Sequence, residues 1–124
     1  MYTNISFGDN VRILRTAETE RLGIAELIGN VYGETTPSVT RVEVIGKLSS
    51  DYAFEVYFDS LKKTYWFAPH MLEFVNHAPG TEVHVHGSLY KSVRQRDGTW
   101  EQVPLNDDGQ SWFGRLISKF RSRA

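Results

Sequence analysis

The chain has 124 residues, 40% hydrophobic and 13% aromatic, with no cysteine. That supports one ordinary globular core, is too short for two cores joined by a linker, and excludes wholesale disorder, disulfides, thiolate metal sites and cysteine nucleophiles. All 15 acidic residues fall within residues 1–109 against 10 of the 14 basic ones, a net −5 there, while the last 15 residues carry +4; an acidic body disfavours nucleic-acid phosphates, so only the tail suits them.

In chain order, Phe7-Gly8-Asp9-Asn10 signals a turn, and Val11 to Arg15 alternates as a first strand. Thr16 to Gly23 is polar and too short to bury a helical face, so it is expected to form a long loop. Ile24 to Tyr32 reads as the second strand, with Gly29 a bulge or close-approach point. Gly33 to Ser38 reads as a loop and Arg41 to Gly46 as a short edge strand. Tyr52 to Asp59 is the strongest strand, placing Tyr52, Phe54, Val56 and Phe58 on a core face and Ala53, Glu55, Tyr57 and Asp59 on the other. After a turn at Ser60 to Lys63 comes Thr64 to Phe67, broken at Ala68-Pro69-His70 because proline cannot donate to a ladder; Met71 to Val75 resumes it. Glu82 to His86 and two segments flanking Asp97-Gly98, a two-residue hairpin signal, complete the β-rich body.

This order, with Gly8-Asp9-Asn10-Val11-Arg12-Ile13 at one end and Tyr65-Trp66-Phe67-Ala68-Pro69-His70-Met71-Leu72-Glu73-Phe74-Val75 at the other, resembles an SH3-like barrel over about residues 5–76. It is similar to SH3-like accessory subunits of redox complexes, such as the peripheral subunit of photosystem I and the variable subunit of ferredoxin–thioredoxin reductase. With Gly29-Asn30-Val31-Tyr32-Gly33 it also resembles small bacterial immunity proteins of polymorphic toxin systems. The insertion between Thr35 and Asp51 and the extension after His77 depart from the compact barrel. The resemblance implies a binding module with an aromatic ligand face.

No nucleophile beside a base, carboxylate pair or phosphate-cradling glycine loop stands at a meaningful spacing, so no catalytic residue and no cofactor is assigned and the chain reads as a non-enzyme. His70, His77, His84 and His86 cluster in sequence, and His84 and His86 share a strand face, but two imidazoles do not make a ligand set and no metal site is assigned. The aromatic side chains cannot all point inward; Tyr57, Tyr65 and Trp66 are the expected exposed set. In the tail, Trp112, Phe113, Leu116, Ile117 and Phe120 recur at helical spacing with Arg115 and Lys119 beside them, an amphipathic basic helix of about three turns that needs a surface to lie on.

The expectation is therefore a mainly β protein: an SH3-like small barrel with an appended β-hairpin over residues 1–104, then a linker and C-terminal amphipathic α-helix over residues 105–124. Its expected role is a protein-interaction module, an immunity-type inhibitor or accessory subunit, contacting its partner through Tyr57, Tyr65, Trp66, Trp112, Phe113, Arg115, Leu116, Lys119 and Phe120. The alternative is an adaptor touching a membrane or nucleic acid through residues 111–123, and exposed aromatics leave room for a homodimer. No apolar run reaches the roughly 20 residues of a membrane span, and Met1 to Ile5 lacks signal-peptide features, so the expected location is cytoplasmic.

Overall fold

The computed structural model describes residues 5–105, and the protein in it is mainly β. The described residues divide into two compact units, with the boundary after His77. The predicted helix with Trp112, Phe113, Arg115, Leu116, Lys119 and Phe120 lies outside the described residues.

The first unit holds β1 (Asn10–Ile13), α1 (Ala17–Leu22), β2 (Ile28–Thr35), α2 (Pro37–Thr40), β3 (Val44–Ile45), β4 (Ala53–Phe58), β5 (Lys63–Phe67), a 3-10 turn (Pro69–Met71) and β6 (Leu72–Asn76). Its sheet runs β3-β5-β4-β2-β1-β6, antiparallel except where β3 joins β5. Hydrogen bonding does not join β3 to β6, so the sheet is open. One face carries the core: Val11 and Ile13 from β1, Val31 from β2, Phe54, Val56 and Phe58 from β4, and Phe67 from β5, closed by Ile24, Ile45 and Met71. Alternation along β4 makes this face, because its even-numbered residues are all apolar and successive strand side chains point to opposite sides.

Gly29 is a close-approach point, as its surroundings in sequence suggest. A Cβ there would lie 2.4 Å from Val56 Cγ1 and 2.9 Å from Phe58 Cε1, so only glycine lets β2 pass that close to the aromatic core. The bulge itself falls two residues on, between Val31 and Gly33, and it brings Gly33 rather than Tyr32 opposite Glu55.

Local structure departs from expectation in three places. Thr16 to Gly23 is a helix rather than a loop: Thr16 and Thr19 cap each other's backbone N–H groups, Gly23 closes the end in the left-handed conformation, and Thr19 buries its hydroxyl on the Leu14 carbonyl. The expected loop at Gly33 to Ser38 is split, with Thr35 ending β2 and a single turn, α2, starting at Pro37. The Asp97-Gly98 hairpin is longer than two residues. Gln95 N–H donates to Thr99 C=O, and Gly98 alone has positive φ, +91°, whereas a two-residue type I′ turn needs it at both central positions.

The second unit's described part is a three-stranded antiparallel meander, β7 (Glu82–His84), β8 (Tyr90–Arg94) and β9 (Trp100–Pro104), formed by the Glu82 to His86 segment and the two segments flanking Asp97-Gly98. Within it Val93, Arg94 and Val103 are buried, and the Arg94 guanidinium lies 5.0 Å from the Trp100 ring centroid.

Candidate functional site

The outer face of the first sheet carries Tyr32, Tyr57 and Trp66. On β4, Glu55 and Tyr57 alternate with the buried Phe54, Val56 and Phe58 and so point away from the core. Register sets their neighbours: Glu55 lies opposite Gly33 of β2 and Trp66 of β5, and Tyr57 opposite Asn30 and Thr64. Tyr32, which alternates with the buried Val31, stacks on Tyr57 with ring centroids 4.9 Å apart and planes 9° from parallel, and remains 49% exposed. Such a pair holds both rings in place while leaving one broad side open.

The structure separates the three expected contact aromatics. Tyr57 and Trp66 lie on the outer face, each half-buried. Tyr65 pairs with Val56 on the opposite side, packs against the core and meets Phe58 at 6.1 Å and Phe67 at 6.4 Å, so it belongs to the core face. Adjacent strand residues cannot share a face, so Tyr65 and Trp66 had to part. Lys63 sits over the Tyr65 ring at 5.7 Å. Trp112, Phe113, Arg115, Leu116, Lys119 and Phe120 fall outside the described residues. Tyr32 is the residue that a sequence reading passes over, although alternation in Gly29-Asn30-Val31-Tyr32-Gly33 already sets it opposite the buried Val31.

A second polar constellation ties the sheet together. Asp9 is fully buried; its carboxylate accepts from the Ser6 N–H at 2.8 Å and meets His77 Nδ1 at 2.8 Å. Asn30 donates to the Gly8 carbonyl at 2.8 Å and to Asn10 Oδ1 at 3.1 Å, holding the same turn against β2. A serine, a histidine and an aspartate thus meet, but in an order unlike a hydrolase triad: the Ser6 hydroxyl faces the Asp9 carboxylate rather than the imidazole. The group fixes the turn before β1 and the chain after β6 to one point.

Of the other histidines, His84 Nε2 reaches the Ser88 carbonyl at 3.2 Å, and β7 ends at His84, so His86 leaves the strand face it was expected to share. Among the described residues, no three or more histidine, aspartate or glutamate side chains converge on a common metal position. No described helix is long and apolar enough to cross a membrane.

Tyr52 is held differently. Burial against Phe54 and a hydrogen bond to Glu34 push its phenol up to about 12. It therefore stays protonated beside Glu34 of β2. Comparison with protein families, with curated proteins and with solved structures finds no match.

Proposed function

We propose that this chain is a non-enzymatic protein-interaction module whose contact face is the outer side of the first sheet, centred on Tyr32, Tyr57 and Trp66. The observation that carries this reading is the Tyr32–Tyr57 stack: two rings already locked on each other, one half-exposed, beside a tryptophan on the neighbouring strand. Tyrosine and tryptophan fixed before binding give contact area at a small ordering cost and are the residue types that dominate binding energy at interfaces.

The strand order β5-β4-β2-β1-β6 and the Pro69–Met71 turn before the last strand support an SH3-like arrangement for the first unit. Within that reading the role is an immunity-type inhibitor or an accessory subunit. Residues 5–77 hold 10 acidic and 7 basic side chains, which suits a basic protein partner. The test is capture from a lysate of the source cell with the full chain and with the Tyr32→Ala/Tyr57→Ala variant. One stoichiometric protein bound by the first and lost by the second is the expected result. A partner that both forms retain equally would remove this face from the function, and a partner lost only on deleting residues 107–124 would move the function to the tail.

A further inference from the structure

Most carboxylates of the first unit are already engaged. Arg12 holds Glu73, Arg15 holds Glu20 and Glu26, and Lys62 holds Asp59. Ser38 donates to Asp51, Glu34 lies near the Tyr52 phenol and raises it, and Asp9 is held by Ser6 and His77. Glu55 has no ion pair or hydrogen bond among the described residues. Glu18 and Glu43 share that condition but lie on α1 and before β3, off the aromatic face.

The surroundings of Glu55 are specific. Trp66 is its direct cross-strand neighbour on one side, Gly33 on the other, and Tyr57 stands two residues along the same face. A Cβ on Gly33 would lie 3.3 Å from Glu55 Oε1, so the carboxylate rests in the space that this glycine leaves. Tyr32, next to Gly33, is stacked on Tyr57. Lys62, near the Tyr32–Tyr57 stack, is held by Asp59 at 3.0 Å. A carboxylate without an ion pair among the described residues therefore lies beside Trp66 and Tyr57, with Tyr32 stacked on the latter, and aromatic ring faces carry partial negative charge. An anion would be repelled there, and an apolar group would cover the carboxylate without satisfying it.

Resting on the reading of this face as a binding face, we propose that Glu55, Tyr32, Tyr57 and Trp66 form a recognition site for an arginine side chain on a basic segment of a partner protein. A guanidinium is planar, stacks on an indole or phenol face, and can give two N–H groups to one carboxylate, so it satisfies every element of the site at once.

The test is an NMR titration of the full chain, following backbone amides and the Trp66 indole N–H, with a blocked Gly-Arg-Gly-Arg-Gly peptide. Saturable shifts confined to Glu55, Trp66, Tyr57, Tyr32 and Gly33 are expected, with about fivefold weaker binding in Glu55→Gln. The corresponding glutamate peptide should leave these signals in place. Shifts of equal size with the glutamate peptide, or an affinity unchanged in Glu55→Gln, would overturn the site. So would movement of the Glu55 and Trp66 signals on replacing Arg115 and Lys119 with glutamine, since the chain's own tail would then be the occupant. A captured partner that needs Tyr32 and Tyr57 but binds Glu55→Gln unchanged would overturn the arginine site and leave the binding face standing.

Discussion

The two units hold themselves together by different means. In residues 5–77 the interior is aliphatic and aromatic, supplied by four neighbouring strands, with one buried carboxylate, Asp9, fixed by hydrogen bonds. In residues 78–105 three residues are buried, and one of them is Arg94, whose guanidinium lies over Trp100. The first unit can therefore spare an entire sheet face for tyrosine and tryptophan, because its opposite face supplies the burial. The second commits its tryptophan to covering a cation. The difference teaches where a stacked outward aromatic pair is available for a partner: on a sheet whose core face does not need those rings.

The comparison breaks most easily at Phe58, which is 1% exposed and meets Tyr65 and Phe67 edge-on. Phe58→Ala is expected to destabilise the first unit by about 3–5 kcal/mol. Hydrogen exchange should show the loss in β1, β2, β4 and β5, and equal loosening of β7 to β9 would mean that the two units unfold as one. Asp9→Ala comes next. It leaves the Ser6 N–H and the His77 ring without their carboxylate, at a cost of about 1–3 kcal/mol, and denaturant melts with exchange at β1 and β6 measure it. An unchanged midpoint would mean that water replaces the carboxylate at no cost.

Trp100→Ala tests the second unit. Loss of the cation–π contact removes about 0.5–2 kcal/mol, and the loss should appear in β8 and β9 exchange while the Phe58 ring signals stay where they are. The smallest effect lies at high pH. The Tyr52 phenol is raised above its ordinary value in the folded chain, so the stabilisation it gives is complete below pH 10 and lost as pH rises through about 12. Tyr52→Phe should abolish that part of the alkaline decline, read from melting temperatures between pH 9 and 12, and an identical decline in both forms would place it in other groups.

Several features were legible in the sequence. The alternation at Tyr52 to Asp59 set β4's buried and outward residues in order, Pro69 marked the break before β6, and Gly29 stood where two strands pass close. These are local properties: period-two patterning, a missing N–H and a missing Cβ act within a few residues. The helix at Ala17–Leu22 was equally local, but its signal is reciprocal threonine capping rather than an apolar stripe, and periodicity does not register it.

Sequence alone thus determined the mainly β character, the strand order along the chain and the inward side of the strongest strand. Tertiary structure decided the rest: which strands became neighbours, that the body divides after His77, that Tyr32 lands on Tyr57, and that Glu55 comes to rest between Gly33 and Trp66. The physical reason is that these are cross-strand relations between residues far apart in the chain. Pairing register fixes them, and here one bulge at Tyr32 shifted that register by a residue and set Gly33 opposite Glu55.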